Sequence, residues 1–365
     1  MCARLIAKNG DKKGGCVAAL LDPYLLAMEQ RMSWTLGRAI LHSADIPAGH
    51  GWDSTRKKLK KEKFTADQME SVRENCISHI ICSDKAVTLI KSPASKRQAL
   101  ADALRAEITR DFSDRILKQF LDSAPSTAIY KPLLLAVEER EDALYAVYHS
   151  TRIKEIRKEL NQSDFEDDQA KEVIGEFSEV VGIKRSLSRA FEVIVIPNAT
   201  ERDIEFRMDL SGAPVEQAAK CRLHIEQELE DRVPRFNEGY ANLFPAIHRL
   251  YGDKKAGRVV DMSSVVPTGS TKSEKMRRKG TCLRDEPFHI GGVSAVDGKI
   301  EPYSIALAWK PKHSSMPQRE LQIHGCIRDL HSANPSINYF IAKNCGEESQ
   351  LHQMITLVRK YAATP

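Results

Sequence analysis

Asp285, Asp297 and Lys299 are the residue types that a sheet-based, metal-dependent nuclease uses. Two carboxylates can hold a hard cation such as Mg²⁺, and a nearby lysine can position or activate water. Asp285 and Glu286 precede an apolar run, Phe288–Val296, that reads as a strand, and Asp297-Gly298-Lys299 follows it with Glu301 just beyond. Asp-Gly between two apolar runs is also a strong hairpin signal in its own right. A turn thus accounts for Asp297 and Lys299 without catalysis. Nuclease chemistry stands as the alternative, and Mg²⁺ is called for only under it; no other cofactor is expected.

The denser chemical signal lies directly upstream. Six of the fifteen residues from Ser270 to Arg284 are basic (Lys272, Lys275, Arg277, Arg278, Lys279 and Arg284), against a single acid, Glu274. Gly269 and Gly280 bracket the segment, and no apolar period runs through it, so it reads as a loop. It joins two strand-like runs, Arg258–Val266 and Phe288–Val296. A positive loop on a sheet suits a polyanion, because each Lys or Arg near a phosphate releases condensed counterions. A second cluster, Arg56, Lys57, Lys58, Lys60, Lys61 and Lys63, follows a Gly/Pro-broken loop, and Arg152, Lys154, Arg157 and Lys158 form a third. Trp52 beside the Arg56–Lys63 cluster and Phe288 beside the Ser270–Arg284 segment are placed to stack on bases or to fill the core. PTGST, Pro267 to Thr271, could cup one phosphate with its backbone donors.

Other constellations have plainer readings. Cys76, His79 and Cys82 supply three zinc-type ligands in seven residues, but a structural zinc wants four. Read as a strand, the run would also turn His79 away from the two thiols. Cys221 continues the apolar stripe of Ala218, Ile225 and Leu229, so it reads as a core thiol beside His224. His42 and His50 flank a loop with nothing to complete a site. Arg319 and His324 match a helical ribonuclease spacing, yet the alternation around them is that of a strand. Walker, dinucleotide-fingerprint and nucleophile-elbow motifs are missing. None of the standard helix-based readers of base sequence is visible either.

Composition bounds the rest. The chain has 365 residues, 42% hydrophobic and 29% charged, enough for a large core and about two domains. A net charge of +5 is mild, so local clustering says more than the total. Eight cysteines without framework spacing suit reduced thiols and a cytosolic setting. No apolar stretch approaches a membrane span. Lys8, Lys12 and Lys13 before Cys16–Leu21 superficially resemble a signal peptide, but Asp22 and Pro23 end that run too early.

These residues need elements to position them. The periodicities predict an α+β protein: a helix-rich N-terminal half with hairpins (residues 1–185), and a C-terminal half (186–365) built as a largely antiparallel sheet with helices on one face. Hairpins are expected at His79–Cys82 with Ala86–Ile90, and at Pro132–Val137 with Ala143–Tyr148. Leu100, Leu104, Ile108, Phe112, Ile116 and Phe120 suggest one long helix, opened by a capping box at Ser95 and Gln98. A second box, Ser163 with Glu166, opens an acidic helix to about Val181. Asp164 to Glu179 carries seven acids against Lys171 alone, most simply a solvated face and otherwise a shield competing for the basic loop. Ile204–Leu210 alternates as a half-buried strand. Pro214–Val233, Phe236–Tyr251, Ser336–Lys343 and Ser349–Tyr361 read as helices. The expectation is a nucleic-acid-binding protein, DNA or RNA, working alone, as a homo-oligomer or beside a protein partner. A scaffold whose basic loops meet an acidic protein surface is the remaining alternative.

Overall fold

The computed structural model describes residues 21–122, 128–199, 202–211, 214–278, 280–311 and 317–363. The run at Lys8–Leu20 and Lys279 lie outside the described residues. In chain order the elements are α1 (Leu21–Arg31), α2 (Trp34–Ser43), α3 (Trp52–Leu59), α4 (Ala66–Cys82), β1 (Lys85–Lys91), α5 (Ala94–Arg105), α6 (Phe112–Leu121), β2 (Leu133–Glu139), β3 (Ala143–Leu160), α7 (Asp168–Gly175), β4 (Val180–Pro197), β5 (Ile204–Asp209), α8 (Val215–Arg232), β6 (Gly239–Tyr240), α9 (Phe244–Gly252), β7 (Arg258–Val265), β8 (Thr271–Lys275), α10 (Pro287–Ala295), β9 (Glu301–Trp309), β10 (Arg319–His324), α11 (Ile327–Leu330), β11 (Phe340–Lys343) and α12 (Glu348–Ala362). This is the expected α+β class, with most early elements helical and the strands paired antiparallel. Among the described residues no helix is long and apolar enough to cross a membrane.

Contacts divide the chain into two interleaved units. One takes residues up to Leu89, Asp111–Leu121 and everything from Gly239; the other takes Ile90–Arg110 and Asp122–Glu238. The expected boundary near residue 185 falls inside β4. In the first unit the strands run β1-β11-β10-β9-β7-β8, so β8 is an edge strand. α9 and α12 pack on each other, and α9 packs on β9. Leu351, Met354, Ile355 and Val358 give α12 its buried i, i+3, i+4, i+7 stripe, which joins Ile247, Leu307 and Phe340 in one core.

The second unit orders its strands β2-β3-β4-β5. All six residues of β5 are buried, rather than alternate ones. Its polar face is satisfied by charge: Arg207 donates to Glu205, and Asp209 accepts from the Phe191 and Ser211 amides. Arg152 donates to Glu192 and to the Asp209 carbonyl, with both side chains of the ion pair almost fully buried. Removing one partner of such a pair would strand a charge in the core.

Beyond that point β3 and β4 leave the sheet. They pair in register from Ala143 opposite Pro197 to Leu160 opposite Val180. The partners of β2 end at His149 and those of β5 at Val193. The two-stranded ribbon continues from Arg152–Ser188 to Leu160–Val180, about 30 Å at the rise of a β-strand. The connection carries a 3-10 turn at Gln162–Asp164 and α7. Asn161 caps the turn and Asp167 caps α7, not Ser163.

Several expected elements take another form. His79–Cys82 is the last turn of α4, whose capping box is Thr65 with Gln68. The long stripe is cut in two, because the Thr109 amide and hydroxyl bond Val137 of β2 and pull the chain out of helix after α5. Pro93, not Ser95, precedes α5, and the Gln98 side chain bonds Asp102. The helix expected at Phe236–Tyr251 starts only at Phe244 and runs to Gly252. Ser336–Lys343 contains strand β11, whose backbone is claimed by β1 and β10.

Candidate nucleic-acid interface

The basic segment is not one loop. Thr271–Lys275 forms β8, paired to β7 from Val265–Thr271 to Asp261–Lys275. The turn between them closes through Val266 N–H to the Ser270 carbonyl and Gly269 N–H to the Val266 carbonyl. Gly269 sits at φ 80°, where a side chain would be strained. Its amide is spent in the turn, so PTGST does not offer that donor to a phosphate.

A strand sends successive side chains to opposite faces, which sorts the charges. Ser273 and Lys275 share a face with Ser263 and Asp261: the two serine hydroxyls lie 3.2 Å apart, and Lys275 pairs with Asp261 at 3.2 Å. Lys272 and Glu274 share the other face, toward α10. Glu274, the one acid of the cluster, turns inward to His289, whose Nδ1 lies 2.8 Å from its carboxylate. The His289 Nε2 lies 2.9 Å from the Tyr251 hydroxyl. Burial pushes the Tyr251 phenol up, partly offset by the Arg284 cation. A carboxylate oxygen accepts, so Nδ1 is the donor to Glu274. The acid is internally engaged, and the outward charge of the strand is basic.

α10 replaces the expected strand Phe288–Val296. Glu286 caps it by accepting the His289 amide at 2.7 Å, and Pro287 occupies the first turn. Asp297 at φ 54° and Gly298 at φ 73° end it, with the Gly298 amide reaching back to the Val293 carbonyl at 2.9 Å. Asp297-Gly298 is a helix terminus rather than a hairpin between two strands. His289 faces inward and is buried, while its neighbours Phe288 and Ile290 are 82% and 49% exposed. Between β8 and α10 lies a groove of about 320 Å³, with Lys272 and Phe288 at its rim, His289 at its floor, and Val266, Val293 and Ile300 along its apolar walls.

The remaining candidates sort by what holds them. Lys272, Arg277 and Arg278 are exposed and make no ion pair with a described residue. Arg284 is half-buried and donates to the carbonyls of Tyr251, Asp253 and Gly257, which makes it a clamp on the chain around α9 and β7. Arg56 on α3 is paired with Glu29 and Asp53. Lys57, Lys58, Lys60 and Lys61 are exposed, and Lys57 and Lys60 border a separate groove of about 430 Å³ against α1. Trp52 is packed edge-on against Trp34, and a Cβ on Gly37 would lie 2.1 Å from its ring. That packing occupies the ring in the helical layer. No hydrogen bond or ion pair among the described residues links the α3 cluster to the β8 cluster. Of the third cluster, Arg152 is buried and Lys158 is bonded to Asp164.

Asp285 and Asp297 stand at opposite ends of α10, about 13 Å of helix apart. Both are exposed, as is Lys299, and Asp285 has Lys254 3.8 Å away. Among the described residues no three His, Cys, Asp or Glu side chains gather as a metal site. Burial pushes the Cys76 thiol up to about 12. The features that sequence reasoning missed are the Glu274–His289–Tyr251 chain and the groove above it. Comparison with known protein families, curated proteins and solved structures finds no match.

Proposed function

We propose that the chain binds nucleic acid through the β8–α10 face, and that it favours unpaired strands. The observation that carries this is Phe288, a large aromatic ring left 82% exposed at the rim of the same groove as Lys272. Leaving such a ring in water forgoes about 1.5–3 kcal/mol of burial. A base stacked on an aromatic ring returns about 1–3 kcal/mol and needs no particular sequence. Lys272, Arg277 and Arg278 supply the cations for the backbone beside it, and Glu274 is held away from the phosphates by His289. The groove walls are apolar, which suits the face of a base more than a phosphate.

The test is fluorescence anisotropy of labelled oligo-dT, oligo-U and a DNA duplex titrated with the purified chain. Single strands should bind more tightly than the duplex. Phe288→Ala should weaken single-strand binding by about 5- to 150-fold, the loss of one stacked base, while Phe288→Trp retains it. Equal binding by Phe288→Ala, or a parent that prefers duplex, would overturn the reading.

A further inference from the structure

The tip of the β3–β4 ribbon is an apolar surface without a core. Neither α7 nor the 3-10 turn before it contains a buried residue. Val173, Phe177, Val181 and Ile183 are 56%, 60%, 44% and 55% exposed. An isolated helix of eight residues is marginal in water, and helices of this length normally rely on tertiary packing of one face. The ribbon extends the tip beyond the last residues of β3 and β4 that β2 and β5 cover. On and beside α7, Asp167, Asp168, Glu172, Glu176 and Glu179 are exposed as well, while Arg157 stands opposite Ile183 in the ribbon. Exposed apolar side chains on a stretch rich in exposed acids are the composition of a docking surface, with the acids setting the partner's charge.

The complement is present on the same polypeptide. On the β8–α10 face Phe288 and Ile290 are exposed and Lys272 lines the groove, and the exposed Arg277 and Arg278 follow directly after β8. We infer that the acidic tip of one copy docks on the β8–α10 face of a second copy. The two surfaces differ, so the contact is heterologous: each pair keeps one unused tip and one unused face, and the assembly grows until a ring closes. A short helix on a groove is a small interface, at the weak end of specific association, so it forms at micromolar or higher concentration. Its rim charges are exposed, so added salt weakens it. This inference does not depend on the nucleic-acid reading, since it is measured on protein freed of nucleic acid.

Sedimentation velocity of the full chain across micromolar to submillimolar concentration is the test. The parent should show mass rising with concentration beyond a dimer, and falling back as salt is raised. Two variants neutralise one surface each: Glu172→Gln with Glu176→Gln and Phe177→Ser on the tip, and Lys272→Gln with Arg277→Gln and Arg278→Gln on the face. All six positions are exposed, so the fold is not at risk. Each variant alone should associate at least tenfold more weakly than the parent. Mixed in equal amounts, they should form a dimer and nothing larger, because one intact tip and one intact face remain. A parent that stays monomeric throughout, a variant that associates like the parent, or a mixture that does not dimerise would overturn the inference.

Discussion

Arg284 and Lys272 are twelve residues apart in one basic segment, and the structure gives them opposite work. Lys272 ends in solvent at the rim of a groove, whereas Arg284 holds three carbonyls together. Arg284→Ala should therefore cost about 2–3 kcal/mol of stability, because bonds from a cation to three half-buried carbonyls are lost. Urea unfolding measures that loss, and anisotropy under folding conditions should show oligonucleotide affinity unchanged. Unaltered stability with lost affinity would return Arg284 to the binding surface. The sequence shows the charge of these residues and hides their partners. Arg56 is neutralised by Glu29, twenty-seven positions away, and Glu274 is removed from the cluster by a histidine that reads as part of a strand. Phe288 was legible as a candidate for stacking; its exposure was not, since an apolar run containing it suggests burial.

At the scale of elements, α10 is the informative case. Its start and stop were written in the chain, as Pro287 after an acidic cap and Asp297-Gly298 at the end. Its middle obscured them, because Gly291 and Gly292 leave Phe288, Ile290, Val293 and Val296 as a run without a 3.6-residue period. Neither glycine has an atom within 4 Å of where a Cβ would stand, and Gly291 is exposed. Gly291→Ala should stabilise the protein by up to about 1 kcal/mol and leave oligonucleotide binding as it was. A thermal or urea midpoint that falls would mean that the backbone there needs glycine. The long stripe from Leu100 to Phe120 misleads in the opposite way. The period is right within each helix, but Thr109 is captured by β2, and a bond to a residue twenty-eight positions on leaves no periodic trace.

At the scale of the molecule, the α+β class was readable because several antiparallel pairs are local: β2 with β3, and β7 with β8. The interleaving of the units was not, since Asp111–Leu121 joins the unit that holds α1–α4 and β7–β11 through contacts that sequence order does not reveal. The proposed grip on a phosphate backbone rests on three exposed cations, Lys272, Arg277 and Arg278. The most direct measurement is the slope of log affinity against log salt for single-stranded oligonucleotides, for the parent and for Lys272→Gln with Arg277→Gln and Arg278→Gln. Each phosphate contact contributes about 0.7 to that slope for a single strand, so the triple variant should lose about 2 from it and bind more weakly at every salt concentration. A variant with the parent's slope and affinity would contradict the account.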